Sequence, residues 1–199
     1  MVIGITGGIG AGKSTVLSIL KNQYGFVIFE ADQIAHELMR KGNISYLRIV
    51  SYFGNDILDE NEEIDRKKLG QKVFSNKEQL EKLNEFVHPE VISEIQRRMA
   101  MDPKRKDNGR FVIEAALLFE SGCNTICDQV WYIDTNTEVR KQRLREYRKM
   151  SDEQIESVMK NQLNRDRFEQ LSDVVIDNSD SVGNTAKQIQ NLLEFSCCL

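Results

Sequence analysis

Glycines, a lysine and two hydroxyl side chains stand close together near the start of the chain. Residues 7–14 match the pattern G-x₄-G-K-S, between an apolar run and a helical pattern. Glycines allow the backbone N–H groups of such a loop to curl around phosphate oxygens, and the following helix N-terminus adds partial positive charge. The pattern predicts a phosphate-binding loop for ATP, made of Gly7, Gly8, Ile9, Gly10, Ala11, Gly12, Lys13, Ser14 and Thr15.

Two residues of this loop have distinct chemical roles in the prediction. Lys13 is placed to reach the β- and γ-phosphates, where negative charge must be stabilised during phosphoryl transfer. The Ser14 hydroxyl is placed to ligate the Mg²⁺ ion that accompanies ATP. The loop therefore predicts binding of ATP and Mg²⁺, and it leaves the reaction open.

Signals elsewhere in the sequence argue against two other classes of nucleotide-binding protein. A GTPase switch needs N-K-x-D after a later strand, whereas the only Asn-Lys pair is followed by Glu78 and Gln79. The only D-x-x-G, at residues 180–183, lies beyond the last predicted strand. A mechanochemical ATPase needs a strand that ends in Asp-Glu, and here Thr135 follows Asp134. These differences favour a kinase that passes the γ-phosphoryl group to a small molecule.

Short apolar runs predict five β-strands, at residues 2–6, 26–30, 111–115, 130–133 and 174–176. Long helical patterns separate these runs, so each strand would return through a crossover. Such an arrangement gives a parallel sheet with helices on both faces, which is a three-layer α/β/α sandwich. Between the second and third strands, Pro89 follows His88 and predicts the start of a new helix.

Two helical segments interrupt the sandwich and divide the chain in this prediction. Residues 32–101 are almost wholly helical in pattern, and residues 135–171 form a helical, strongly charged excursion. Segments at strand ends are where an enzyme on this framework holds its substrates. The core of the single domain would then comprise about residues 1–31, 110–134 and 172–199.

Composition restricts the partners and the location. The 199 residues are 40% hydrophobic, which suits one globular domain, and the net charge of −4 gives no reason to expect nucleic acid as a partner. No apolar run approaches the roughly 20 residues that span a bilayer, and no secretory signal is present, so a cytoplasmic location is expected. The cysteine spacing matches no common zinc site, which predicts free thiols at Cys123, Cys127, Cys197 and Cys198.

A series of patterns along about residues 2–195 resembles the dephospho-coenzyme A kinase family. They are the phosphate-binding loop, Glu30-Ala31-Asp32, Phe53-Gly54, residues 64–69 with Val73-Phe74, His88-Pro89, residues 117–120, Gln162, and residues 172–176 with Asn178. The resemblance implies a P-loop kinase fold, ATP as donor, and transfer to the ribose 3′-hydroxyl of dephospho-coenzyme A. It also implies that residues 32–101 bind the acceptor and that residues 135–171 form a lid. A monomer or weak homo-oligomer is expected.

The resemblance implies that three residues carry the transfer chemistry. Lys13 is the first. Asp32, after the second strand, can accept the proton of the attacking hydroxyl or hold a water on Mg²⁺, and its alternative is a helix N-cap. Arg143, in a run of basic residues, would bind the nucleotide through its planar guanidinium. Arg148 is a second expected nucleotide ligand, although the spacing usual in the family falls on Tyr147.

Five further residues are expected to bind the acceptor with Asp32. They are Arg66, His88, Leu118, Phe119 and Glu120. Two of them have a plainer alternative, because Arg66 could pair with Asp65 or Glu63 in solvent and His88 could be a core or capping histidine. The remaining alternative for the whole chain is a P-loop kinase that acts on a nucleoside monophosphate or a sugar acid. It would differ only in the acceptor pocket.

Overall fold

The apolar runs pair into one parallel sheet in the computed structural model, which describes residues 1–74, 76–104, 109–160 and 162–196. The strands are β1 (Val2–Thr6), β2 (Val27–Glu30), β3 (Phe111–Glu114), β4 (Gln129–Asp134) and β5 (Val174–Asp177). They lie in the order β2-β3-β1-β4-β5, and each pairing is parallel. The predicted parallel five-stranded sheet is confirmed.

Helices connect the strands. Their bounds are α1 (Lys13–Tyr24), α2 (Ala31–Leu38), α3 (Ile44–Phe53), α4 (Arg66–Phe74), α5 (Lys77–Met101), α6 (Thr137–Arg148), α7 (Asp152–Lys160), α8 (Arg165–Leu171) and α9 (Val182–Ser196). Short 3₁₀ turns occur at Asn55–Ile57 and Cys123–Ile126. Within the described part of the chain, no helix is both long and apolar enough to cross a membrane.

The sheet is covered by helices on both faces, so each strand contributes to two cores. In β3, Phe111 and Ile113 pack into one core with α5, whereas Val112 packs into the other with α1 and α9. Strands that are buried on both faces read as continuous apolar runs, which is why the sequence marks them clearly. The predicted α/β/α sandwich is therefore confirmed.

The helix around Pro89 differs from the prediction. A new helix was expected to start there, but α5 runs unbroken for 25 residues with Pro89 inside it. Val87 and Val91, on either side of the proline, pack into the same core, and this shared packing keeps the two halves in line. Pro89 donates no N–H to the preceding turn, and the nearby carbonyl of Phe86 accepts a hydrogen bond from Ser45 at 3.4 Å.

The strand order determines what surrounds the loop after β1. Because β1 lies between β3 and β4, this loop is flanked by the carboxyl ends of both neighbours. The register places Glu114, at the end of β3, level with Ile5 of β1 and with Glu30 of β2. Ligands of open α/β sheets bind at this edge. Side chains from distant parts of the sequence therefore converge on the predicted phosphate-binding loop.

The excursion between β4 and β5 is helical, as its pattern predicted, and consists of α6, α7 and α8. Phe168 of α8 stacks on Tyr132 of β4, with ring centroids 4.7 Å apart and planes 5° from parallel. Asp134 accepts a hydrogen bond of 3.0 Å from the Tyr132 hydroxyl and forms a 3.1 Å ion pair with Arg165 of α8. These contacts attach α8 to the sheet.

Candidate active site

The chain leaves β1 through a loop whose glycines are required by close packing. Gly7 has φ of 152°, and a Cβ atom there would lie 2.6 Å from the carbonyl oxygen of Ile133. Gly12 has φ of 81° and stands directly before α1, which begins at Lys13. A side chain at either glycine would strain the backbone. The loop thus delivers the N-terminus of α1 to the sheet edge, where its N–H groups favour an anion.

A cleft of about 780 Å³ lies over this loop. Its lining includes most of the residues that the sequence predicts to bind the nucleotide. These are Gly8, Ile9, Gly10, Gly12, Lys13, Ser14, Thr15, Arg143 and Arg148. Asp32, which was predicted to act on the acceptor, lines the cleft as well. Gly7 and Ala11 are buried instead. The structure therefore brings the contiguous loop together with residues from α2 and α6.

Lys13 is held by two oxygen atoms in the cleft. Its Nζ donates a hydrogen bond of 3.1 Å to the carbonyl of Gly7 and lies 3.5 Å from Oε1 of Glu114. Burial raises the pKa of the Glu114 carboxyl, the nearby Lys13 opposes that effect, and the carboxylate of Asp32 adds to it. Glu114 was not singled out from the sequence, because it lies inside the predicted strand at residues 111–115 and gave no separate signal.

One guanidinium nitrogen of Arg143 has no hydrogen-bond partner among the described residues. Its Nη2 donates to the carbonyl of Asn178 at 2.9 Å. Its Nη1 is buried, faces Gly12, and has no hydrogen-bond partner among the residues that the structure describes. A buried donor without a partner is uncommon, and a phosphate in the cleft would supply one. Tyr147 and Arg148 both lie exposed at the rim of the cleft, so the choice between them stays a prediction.

Two segments after β4 and β5 support the back of the loop. Asn178 Nδ2 donates to the carbonyl of Ala11 at 2.8 Å, and the Thr185 hydroxyl donates to Asn178 Oδ1 at 2.9 Å. The buried Thr135 hydroxyl also donates to Ala11, at 2.9 Å. Asn178 belongs to the patterns that carry the family resemblance, whereas Thr135 gave no sequence signal beyond its place after a strand.

A smaller cavity of about 190 Å³ adjoins the cleft. Its walls are α2, α5 and the segment after β3, and most of its lining side chains are apolar. His88 and Asn84 of α5 are among its polar residues. Among the described residues, Asp32 alone lines both the cleft and the cavity. An apolar pocket with a few polar groups suits a small organic ligand.

Asp32 lies in the first turn of α2 rather than at its cap. The helix begins at Ala31, so Glu30 occupies the cap position, and no side chain makes a capping hydrogen bond. The interpretation of Asp32 as an N-cap is therefore wrong, because α2 starts earlier than its apolar pattern suggested. The carboxylate is exposed where the two cavities meet.

The residues predicted to bind the acceptor separate into two groups. His88 is half-buried in the smaller cavity; burial lowers its pKa, and the nearby Glu120 carboxylate opposes that effect. Leu118 has 0% of its surface exposed and packs in the core, where Phe119 also packs. Leu117 is 53% exposed and lines the cavity instead. The structure thus places His88 in the cavity, Glu120 outside the cavity lining but near enough to affect the pKa of His88, and Leu118 behind the cavity wall.

Arg66 lies apart from the other predicted residues. It is the exposed first residue of α4 and lines neither the cleft nor the smaller cavity. The alternative partners do not hold it either. The Asp65 carboxylate accepts the backbone N–H groups of Lys67 and Lys68, and Arg66 forms no ion pair with a residue in the described ranges.

The metal predicted at Ser14 has few protein ligands available. Within the described residues, no three His, Cys, Asp or Glu side chains are grouped as a metal site. The exposed Ser14 lines the cleft, and Glu114 and Asp32 line it too. Mg²⁺ usually keeps several waters and binds through one or two protein groups and the phosphates of its substrate. The donor set therefore fits an ion that arrives with a nucleotide.

Comparison with known proteins agrees with this arrangement. The family model for dephospho-CoA kinase matches residues 1–184. A dephospho-CoA kinase from Fusobacterium nucleatum is 40% identical over 195 residues, which cover 98% of this chain and 97% of the relative. The solved dephospho-CoA kinase from Campylobacter jejuni is 30% identical, with a TM-score of 0.71 and 98% of both chains covered.

A more distant likeness concerns the fold alone. The shikimate kinase from Acinetobacter baumannii has a TM-score of 0.54 at 16% identity, over 98% of this chain and 93% of its own length. This likeness confirms the P-loop kinase fold, and it gives no information about the acceptor. With the whole-length match to the family model and its relatives, the chain belongs to the dephospho-CoA kinase family, which phosphorylates dephospho-coenzyme A with ATP in coenzyme A synthesis.

Proposed function

We propose that the two cavities hold the two substrates of this kinase. The phosphates of ATP lie in the larger cleft, and the nucleoside end of dephospho-coenzyme A lies in the smaller cavity. The γ-phosphoryl group then passes to the ribose 3′-hydroxyl where the cavities meet. The observation that carries this assignment is the position of Asp32, whose carboxylate lines both cavities.

On the donor side, residues 7–15 wrap the phosphates with backbone N–H groups. Lys13 exchanges its contacts with Gly7 and Glu114 for phosphate oxygens, and the buried Nη1 of Arg143 gains an anionic partner. Both changes place positive charge where negative charge accumulates in phosphoryl transfer. Arg148 reaches the same cleft from its rim.

Mg²⁺ belongs to the donor side of the proposal. When bound, it neutralises charge on the phosphates and orients them. The Ser14 hydroxyl is the protein group proposed to hold it, with Glu114 close enough to the cleft to hold its water ligands. A Mg²⁺ titration of the rate with and without the Ser14→Ala substitution would test this role.

On the acceptor side, Asp32 accepts the proton of the 3′-hydroxyl as the oxygen attacks. A carboxylate within reach of the hydroxyl can act as a general base. His88 and Glu120 contribute polar contacts, and Leu117 takes the place that the sequence analysis gave to Leu118, because its side chain faces the cavity. Arg66 keeps a proposed role only if the acceptor extends beyond the cavity to α4.

The excursion at residues 135–171 is proposed to act as a lid. Its helix α6 lines the cleft through Arg143, Leu144 and Arg148. Closure would exclude water from the γ-phosphate and suppress hydrolysis. Hydrogen exchange should slow in α6 and α7 when both substrates are bound. Protection confined to the sheet would contradict a lid.

Location and assembly are further parts of the proposal. The unpaired thiols of Cys123 and Cys127 suit the reducing cytosol, while Cys197 and Cys198 lie outside the described residues. We expect a monomer or weak homo-oligomer without nucleic acid, in keeping with the net charge of −4. Cell fractionation and light scattering of the purified protein would test these expectations.

An acceptor screen tests the assignment of the substrates. ADP release would be followed with ATP, Mg²⁺ and each of dephospho-coenzyme A, AMP, CMP, gluconate and shikimate. Dephospho-coenzyme A should give the highest kcat/KM, and the product should carry phosphate on the 3′-oxygen. Faster turnover with a nucleoside monophosphate or a sugar acid would overturn the acceptor. ADP release that is slow and independent of any acceptor would indicate a nucleotide switch.

A further inference from the structure

Two side chains from the excursion hold the backbone N–H and the backbone carbonyl of one residue, Ile9, in the phosphate-binding loop. The N–H of Ile9 donates to Gln162 Oε1 at 3.0 Å, and the carbonyl of Ile9 accepts from Arg140 Nε at 3.1 Å. Arg140 Nη2 also donates to Gln162 Oε1, at 3.2 Å. The three hydrogen bonds close a ring. Arg140 belongs to α6 and Gln162 to the connection between α7 and α8.

The packing around this ring is close on the loop side. The Arg140 guanidinium lies against Gly8, where a side chain would collide with it. A Cβ atom at Gly10 would lie 3.1 Å from both the Arg140 carbonyl oxygen and Leu144 Cγ. Residues 8–10 are therefore fitted to α6 along one side. The glycines here serve the approach of α6 as well as the approach of a phosphate.

The charge of Arg140 is unusual for its position. The side chain is partly buried, and no carboxylate of a described residue lies within 4.0 Å of its guanidinium. Asp134, the nearby acid, already pairs with Arg165 at 3.1 Å. By contrast, Arg145 on the same helix is exposed and pairs with Asp152 at 2.6 Å. Burying a cation among neutral partners is costly, and an anion in the cleft would offset that cost.

We propose that Arg140, with Gln162, is a positioning residue for the triphosphate of ATP. Together the two side chains fix the N–H and the carbonyl of Ile9 in the loop, and the charge of Arg140 adds to the attraction for phosphate without touching the reacting atoms. The pair also joins the loop to the base of the excursion, so that nucleotide binding and the position of α6 are coupled. This inference rests on the proposed assignment of ATP to the cleft.

The test compares Arg140→Ala with Arg145→Ala, which removes the same charge from the exposed face of α6. ADP affinity by calorimetry, kcat, both KM values and the melting temperature would be measured. We expect Arg140→Ala to weaken the binding of ADP and to raise the KM of ATP, each about tenfold, with the KM of dephospho-coenzyme A unchanged. Arg145→Ala should match the wild type. Arg140→Lys should recover part of the affinity, since it keeps the charge and loses the second donor.

A double-mutant cycle separates positioning from simple instability. If Arg140 and Gln162 act as one unit, the double variant with Arg140→Ala and Gln162→Ala should weaken the binding of ADP by less than the product of the two single effects. If Arg140→Ala does not fold, Arg140→Gln would be compared with Arg145→Ala by the same measurements. A folded variant that binds ADP within about twofold of wild type, or one that raises both KM values in proportion, overturns the proposal.

The same measurements on Lys13→Ala distinguish this proposal from the assignment of ATP to the cleft. If Lys13→Ala impairs ATP use and the Arg140 variants do not, Arg140 is a structural residue and the ATP site stands. If Lys13→Ala leaves ATP use intact, the cleft is not the ATP site, and the role of Arg140 fails with it.

Discussion

The donor and acceptor sides of the site are built from different materials. The donor side consists of backbone N–H groups and charges held at some cost. Among the residues that the structure describes, the partly buried Arg140 has no carboxylate partner and one nitrogen of Arg143 has no hydrogen-bond partner, and burial raises the pKa of the Glu114 carboxyl. The acceptor side is mainly apolar, and its wall continues into a packed core through Leu118. The first region is organised for charge and the second for shape.

This difference predicts which substitutions should affect activity and which should affect stability. Costly charges around a ligand site are retained for binding, so their removal should impair function more than folding. Apolar residues behind a cavity wall support the fold, so their removal should impair folding more than chemistry. Asp32 stands at the boundary and belongs to neither class.

The largest effect is expected for Lys13→Ala on the donor side. Loss of a cation at the γ-phosphate should cost on the order of 3 kcal/mol or more, which is over about a hundredfold in kcat. The melting temperature should fall much less than the rate, because the Glu114 carboxyl, whose pKa burial raises, can take up a proton when it loses the ion pair with Lys13. Lys21→Ala, on the last turn of the same helix, is the control. A folded Lys13→Ala enzyme with more than about a tenth of the wild-type rate contradicts the donor site.

Asp32→Asn should have the next largest effect. The amide keeps the size of the side chain but cannot take the proton of the acceptor. General-base catalysis usually contributes about 10²–10⁴-fold; because phosphoryl transfer is often loose, we expect the lower end, roughly 10²-fold in kcat, with ATP affinity unchanged. A rate within about threefold of wild type under rate-limiting chemistry would remove Asp32 from catalysis. A higher Mg²⁺ requirement instead would make it a metal-shell residue.

The fold was predictable where local pattern and tertiary packing agree. The strands are buried on both faces, so each reads as an apolar run whatever its neighbours are. Their order in the sheet was not predictable, because it depends on pairings between distant segments. Pro89 shows the opposite failure, since its local signal for a new helix was outweighed by the core that Val87 and Val91 share.

The donor loop was predictable because its chemistry requires consecutive residues. The acceptor side was harder, because its residues come from α2, α5 and the turn after β3. Between Leu117 and Leu118 the sequence offers no periodicity that decides which one faces the cavity, since the segment is neither strand nor helix. Nothing in the sequence assigned a role to Glu114, Thr135 or Arg140, because their partners on the loop are set by the sheet order.

A pair of substitutions tests the acceptor wall. Leu118→Ala should destabilise the protein by about 2–5 kcal/mol, as a fully buried leucine does when it leaves a cavity. Leu117→Ala should leave the unfolding free energy nearly unchanged and raise the KM of dephospho-coenzyme A several-fold, with the KM of ATP unaltered. Urea unfolding and steady-state kinetics measure both. An acceptor defect in Leu118→Ala at full stability would reverse the two assignments.

The smallest expected effect is on the melting temperature and concerns Glu114, a charged residue of the donor side. Burial raises the folded-state pKa of this carboxyl above its ordinary value of 4.5. The folded protein therefore holds the proton to a higher pH than the unfolded chain, and stability falls as pH rises through the window between the two pKa values. At neutral pH the ionised carboxylate opposes folding, although its ion pair with Lys13 offsets part of that cost.

Glu114→Gln should accordingly raise the melting temperature at pH 7.5. The gain should shrink as the pH falls toward 4.5, where the wild-type carboxyl is protonated in the folded state and becomes protonated in the unfolded chain as well. Glu138→Gln on the exposed face of α6, where Lys141 is the partner, should show no such gain. A lower melting temperature for Glu114→Gln at pH 7.5 would mean that the Lys13 ion pair outweighs the cost of burial. The donor side would then be stabilised by its charges, and the contrast with the acceptor side would fail.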